Sequence, residues 1–286
     1  MGKELASQGI AQMAPHAGSV PMSEDEVGIL IVSSILALVT WLVWFLGGTG
    51  IRALGRPSAR GPLIHAPLLG SLALMLVLKF WASFDVRDSW KYTIFYVVLG
   101  AAWVGLARPF IVLLGLNARE DVHERRNAAA AWALAGAILA LFACYAGANI
   151  GDGPGWWVVV FCALLSTAAL FLLWAVFEKI LRVSDAVTID RDLASGVRLA
   201  GFLLGAGLIL GRAVAGNWVS VTATIEDFVR DASPVVILLV VAMALEWMTR
   251  PSPSAPRPSV LVNGLIPATI TLGGSAIFLA LAGPWT

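Results

Sequence analysis

Apolar residues in this chain come in runs of about twenty, separated by short polar connectors. The runs lack the period-two alternation of a half-buried strand or a membrane barrel. A helix needs roughly 20 mostly apolar residues to cross about 30 Å of hydrocarbon. Eight segments meet that length: Val27 to Gly47, Pro62 to Ser83, Tyr92 to Gly115, Asn127 to Ala148, Gly155 to Glu178, Leu193 to Ala215, Ile225 to Met248 and Val260 to Ala282. Helices satisfy their own backbone hydrogen bonds where water is absent. The pattern therefore predicts an all-α fold, a polytopic transmembrane helix bundle of about eight spans. Its divisions are an exterior polar tail (1–26), N-terminal membrane helices (27–119), two hairpins (120–182 and 183–250) and a final membrane helix (251–286).

Composition agrees with lipid as the solvent. Of 286 residues, 59% are hydrophobic and only 13% charged, with a mean hydropathy of +0.84. That leaves too little polar surface to cover a soluble globule of this length. The connectors after spans one, three, five and seven carry Arg52, Arg56, Arg60, Arg119, Arg125, Arg126, Lys179, Arg182, Arg191, Arg250 and Arg257. The opposite connectors carry only Lys3, Arg87, Lys91 and Arg230. Under the positive-inside rule both termini lie outside. The first 26 residues hold no apolar core of signal-peptide length, so they read as tail. The net charge of +1 is spread as topology signals and forms no patch for nucleic acid. Cys144 and Cys162 fall inside spans, where they read as small buried hydrophobes before a disulfide pair.

Self-similarity organises the second half. RNAAAAWALAG (126–136) matches RDLASGVRLAG (191–201) at an offset of 65, with Arg126, Ala129, Leu134, Ala135 and Gly136 repeated as Arg191, Ala194, Leu199, Ala200 and Gly201. Gly151-Asp152 then aligns with Gly216-Asn217, and after a three-residue shift Glu178 aligns with Glu246. Both copies start and end inside, so they are parallel helical-hairpin repeats. Spans two and three have the same orientation, and Gly70 stands where the repeat places its glycine, which makes them an eroded third copy. Spans eight and one would be the two halves of a fourth.

The succession Arg-Asn-x-Ala-x-Ala, small-residue helix, Gly-Asx turn and second helix, followed by a second copy that opens Arg-Asp-x-Ala, covers residues 120 to 250 and resembles the bacterial membrane family catalogued as domain of unknown function 350, with YjfL-like members. The resemblance implies a duplicated integral domain of the bacterial inner membrane, with no settled activity and no catalytic residues to carry over. Asp192 replaces the asparagine of the first copy, Asn127, so a side-chain amide is not essential at both places.

Candidate chemistry resides in the polar residues. In GANIGDGPGWW (147–157) glycine and proline permit a tight reversal, Asn149 or Asp152 can bond exposed amides, and Trp156 and Trp157 suit a headgroup interface. These residues read as an outer turn, since no Walker sequence accompanies them. Gly201, Gly205, Gly207 and Gly211 give helix six flat faces for close packing.

Charges inside spans each cost about 2.5 to 3.5 kcal/mol at the bilayer centre. Lys79 and Arg212 lie near outer ends and can snorkel. Arg108 and Arg198 lie deeper, and Glu178 and Glu246 approach the same leaflet. Two arrangements suit these four: a buried inner ionic cluster, or solvated glutamates with snorkelling arginines. TIEDFVRDASP places Glu226, Asp227, Arg230 and Asp231 on one helical turn pair, standing in water before a span beginning near Pro234 or lining an outer vestibule with Arg212.

No enzyme is expected. His16, His65 and His123 are scattered without metal-ligand spacing, no nucleophile elbow occurs, and neither metal nor cofactor is implied. The sequence favours an ion or small-solute channel or transporter. The alternative is a membrane scaffold or envelope-stress component whose basic inner loops bind anionic lipid or a cytosolic protein. A second copy of the chain is a further candidate partner beside the bilayer itself.

Overall fold

A computed structural model describes residues 21–49, 61–251 and 259–283. Most of the expected tail and the basic connectors 50–60 and 252–258, with Arg52, Arg56, Arg60 and Arg257, lie outside the described residues. The structure is 84% helical, and among the described residues no strand forms. Among the described residues eight helical stretches are long and apolar enough to cross a membrane. The chain is a multi-pass membrane protein built as a helical bundle.

Span one is α1 (Glu24–Thr49), whose first turn holds Glu24, Asp25 and Glu26. These acids were expected in the tail. They belong to the helix because carboxylates favour its N-terminal dipole, and Trp156 and Tyr92 donate to Asp25 (3.1 Å) and Glu26 (3.0 Å). Span two is α2 (Gly61–Phe80), followed by the short α3 (Phe84–Asp88). Span three, α4 (Trp90–Ala107), tightens into a 3-10 turn over Arg108–Leu114 and stops at Gly115, which takes a left-handed φ of 86°. Then follow α5 (Ala128–Gly147), α6 (Trp156–Leu181), the short α7 (Val183–Thr188) and α8 (Leu193–Ala213). Span seven is α9 (Val221–Ala232) joined to α10 (Pro234–Thr249), and span eight is a wide turn over Leu261–Leu265 running into α11 (Ile266–Leu281).

The core is a row of four helices, α2, α5, α8 and α11, each packed on the next. In the apolar stretches of the middle two, 78% of the residues are buried, against 6% in α1, so α5 and α8 form the centre and α1 lies at the periphery. Close pairs ascend together along α5 and α8: Ala129 meets Gly196, Gly136 meets Ala200, Ala140 meets Gly207 and Ala143 meets Gly211. The two helices are thus parallel. Their approach is so close that a methyl on Gly207 would lie 2.7 Å from Ala140 Cα. Gly70 of α2 faces the Phe142 ring of α5, and Gly201 of α8 faces Ala268 of α11. The three glycines aligned in the sequence, Gly70, Gly136 and Gly201, each sit where one row helix meets the next. In a bilayer, where lipid tails are as apolar as leucine, such backbone approach supplies the dispersion energy that association requires.

The connectors set the two faces of the bundle. On one face Asn127 and Asp192 cap α5 and α8, Asn127 accepting from the Ala129 and Ala130 amides and Asp192 from those of Ala194 and Ser195. Their own amides donate to Asp121 O and Ala186 O, both at 2.9 Å, and each follows a left-handed arginine, Arg126 (φ 55°) and Arg191 (φ 54°). This basic face also holds Asp121, buried beneath the turn. Burial raises its carboxyl above the usual range, opposed by the Asn117 amide (2.9 Å) and Arg125 (3.4 Å). On the distal face the reversals lie side by side: Ala82 pairs with Gly151, Gly216 N donates to Ile150 O (3.0 Å) and Trp218 N to Asp152 O (2.8 Å). Gly151 (φ 102°) and Gly216 (φ 143°) occupy backbone regions that side chains rarely adopt.

The threading is open to a direct check. In a background with Cys144 and Cys162 replaced by alanine, single cysteines at the exposed Asp152 and Lys179 are expected to label from opposite sides of sealed vesicles with an impermeant thiol reagent. Labelling of both from one side contradicts the threading.

Candidate functional site

At the basic face Arg198 and Glu246 form one buried ion pair, with 4% and 0% of their side chains exposed. Arg198 arises in the second turn of α8 and Glu246 one turn from the end of α10, so the pair closes where these helices converge. Arg198 Nε donates to Glu246 Oε2 at 2.6 Å, its Nη2 donates to Ser195 Oγ at 2.7 Å, and its Nη1 donates to the Asn263 carbonyl beside α11. Ser195 lies within reach of both Glu246 (3.1 Å) and Asp192 (2.7 Å). Asp192 is 3.7 Å from Arg198, and Arg250 is 3.5 Å from the other Glu246 oxygen. Two cations thus face two carboxylates, and the hydroxyl and carbonyl fill the remaining sites, which lets charge remain below the surface. The network joins spans six, seven and eight.

Arg108 and Glu178 do not join it. Glu178 accepts from the Ser184 amide (2.9 Å) and hydroxyl and holds the start of α7. Arg108 turns to span one. Its Nη2 donates to Thr40 O (2.9 Å), and the guanidinium lies 4.1 Å from the Trp44 ring centre and 5.1 Å from that of Trp41. The four-residue inner cluster is therefore one pair, and its missing members are replaced by Ser195, Asp192, Arg250 and the Asn263 carbonyl. Residue 133, which occupies the place of Arg198 in the first hairpin, is alanine, so Glu178 has no arginine to meet there.

The caps also differ in use. Asn127 Nδ2 donates to Val187 O (2.7 Å), linking the two basic-face connectors, whereas Asp192 spends its oxygens on Ser195 and the neighbourhood of Arg198. That division explains why an amide is needed at one place only.

At the distal face the outer turn and the outer vestibule, separate in the sequence, line one recess of about 280 Å³. Asn149 and Asp152 come from the α5–α6 turn, Arg212 from the end of α8, and Asp227, Arg230 and Asp231 from α9. Tyr96, Val159 and Cys162 contribute apolar wall. Arg230 bridges Asp227 (2.8 Å) and Asp231 (2.9 Å), and Arg212 donates to Ala282 O (3.3 Å). Asn149 donates to Tyr145 O (2.7 Å), and the Asp152 amide to Asn217 Oδ1 (2.8 Å). Glu226 is exposed and is not among the lining residues. The helix breaks at Ser233-Pro234, leaving α9 as a separate amphipathic helix that buries Phe228 and Ala232. Thr224, Asp227, Arg230 and Asp231 of this helix face the recess. Lys79, at the same end, lies 4.0 Å over the Trp90 ring and donates to Arg87 O (2.9 Å). Cys144 and Cys162 are both buried free thiols.

No family model, curated protein or solved structure matches the chain. The class established is that of a multi-pass α-helical membrane protein, and function has to be argued from the two faces.

Proposed function

We propose that this is an ion or small-solute transporter of a bacterial inner membrane, with the distal recess facing the exterior and receiving a cationic or zwitterionic solute. The recess is the observation that carries the proposal. Its three carboxylates, Asp152, Asp227 and Asp231, outnumber its two arginines, Arg212 and Arg230. An acidic concavity bordered by low-dielectric helices raises the local concentration of cations. Beneath it Phe202, Leu203, Ala206, Ile209 and Leu210 of α8 are all within 2% of complete burial. Beyond them the Arg198–Glu246 pair fastens the basic-face ends. Such a form is open outside and closed inside, one end state of alternating access.

The recurrence of cap, left-handed arginine, row glycine and distal turn at one interval supports two copies of a single hairpin. Gly70 and the Ala82 turn support the eroded copy before them, and the packing of α11 on α8 supports a fourth first-helix. This agrees with the duplicated domain that the resemblance to domain of unknown function 350 implies. The distribution of basic residues among the connectors supports an orientation with both termini outside.

Purified protein in liposomes is expected to pass monovalent cations or small zwitterions. The double change Asp152→Asn, Asp231→Asn should lower that flux about ten-fold, the factor for some 1.4 kcal/mol of lost solute binding. Folded protein in tight liposomes that passes none of them overturns the proposal.

A further inference from the structure

A second cavity, of about 310 Å³, opens at the basic face between the ends of spans one and three and the turn that follows. Its walls are of two kinds. Val43, Trp44 and Val112 are apolar, and Val43 and Val112, both on membrane-spanning stretches, are 64% and 50% exposed. Arg108, Arg119 and His123 supply basic groups at the polar end. Arg108 is the unusual member. Its guanidinium is held against Trp44 and Trp41, its Nη2 is used by Thr40 O, and its Nη1 is buried with no hydrogen-bond partner among the described residues. A buried charged donor left in that condition is costly and calls for an acceptor. Arg119 pairs with Glu124 at 3.3 Å while 75% exposed, which leaves it free to turn toward a stronger anion.

We propose that this cavity is a binding site for an anionic phospholipid of the leaflet on the basic face. The headgroup phosphate lies between Arg108 and Arg119, and an acyl chain follows Val43 and Val112 into the hydrocarbon. Arginine suits the task because its planar donors match phosphate oxygens, and clustered basic residues at a membrane surface select anionic lipids. Trp44 provides the amphipathic edge found at the interface. A soluble anion would use the basic end of the cavity and leave the lipid-facing wall empty. The inference depends on the membrane-spanning fold and is independent of the solute proposed for the distal recess.

Native mass spectrometry of the full chain released from nanodiscs tests it, using phosphatidylcholine mixed with phosphatidylglycerol. Wild-type protein is expected to retain phosphatidylglycerol at least ten-fold in preference to phosphatidylcholine. Arg108→Gln is expected to abolish that preference. Arg108 also packs on two tryptophans, so Arg119→Gln, at an exposed position, provides the second variant and is expected to reduce the preference several-fold in protein of unchanged melting temperature. Equal retention of the two lipids by wild-type protein overturns the proposal, as does a preference unchanged in Arg119→Gln. Displacement of the retained lipid by millimolar inorganic phosphate also overturns it, because a free anion would then be the occupant.

Discussion

Glu246→Ala is expected to destabilise the protein by about 3–5 kcal/mol, the range for removing one partner of a buried ion pair. The carboxylate has 0% of its side chain exposed and serves Arg198, Ser195 and Arg250 together. Without it Arg198 retains, among the described residues, only Asp192 at 3.7 Å as a counter-charge. The loss should appear as a large downward shift in the thermal or denaturant midpoint of detergent-solubilised protein. Glu246→Gln keeps the shape and part of the hydrogen bonding, so the difference between the two variants isolates the charge. The double change Arg198→Met, Glu246→Leu should recover most of the loss, since a well-packed apolar pair costs little relative to a buried ionic one. Glu178→Gln is the matched comparison. Glu178 is half-buried and keeps Ser184 as its partner, so only about 1 kcal/mol should be lost. A Glu246→Ala effect no larger than that of Glu178→Gln would show the pair to be open to water.

The sequence made the elements legible and left most partnerships hidden, for a physical reason. Runs of twenty apolar residues report their own helicity, and eight were found with ends shifted by a few residues. Gly70, Gly136 and Gly201 could be aligned because a backbone close to a neighbour forbids any side chain, and that prohibition is written in the residue itself. The partner of Arg198 depends on how α8 and α10 are rotated, which no single segment encodes. Two neighbours were nonetheless within reach of spacing alone: Ser195 three residues before Arg198, and Arg250 four residues after Glu246. The tryptophans around Arg108 left no trace, because an aromatic face holds a guanidinium without bringing a second charge. The union of outer turn and vestibule was equally silent. It rests on Gly216 N to Ile150 O and Trp218 N to Asp152 O, backbone bonds between turns far apart in sequence. The break before α10 was legible at Pro234, whereas α3, five residues between polar neighbours, was not.

Gly207→Ala should destabilise the bundle while Gly274→Ala should leave it unchanged or slightly stabilised, although both exchange glycine for alanine inside a helix. Helix propensity favours alanine by about 1 kcal/mol at either position. Around Gly274 nothing lies within 4 Å of the added carbon, so propensity acts alone there. At Gly207 the same carbon falls 2.7 Å from Ala140 Cα and 2.7 Å from its carbonyl oxygen. Those atoms are backbone, so the contact is relieved only by moving α5 away from α8. Overpacking of this kind costs about 1–3 kcal/mol, which exceeds the propensity gain over most of its range. Gly207→Leu should reach about 3 kcal/mol or more, since the larger side chain separates the helices along several residues. The Ala129–Gly196 and Ala143–Gly211 contacts lie at either end of the same interface, so a displacement at Gly207 spreads to both. Midpoints in detergent give the comparison. Equal responses at positions 207 and 274 would mean that α5 and α8 stand further apart than a glycine-mediated contact, and the parallel row would lose its central joint.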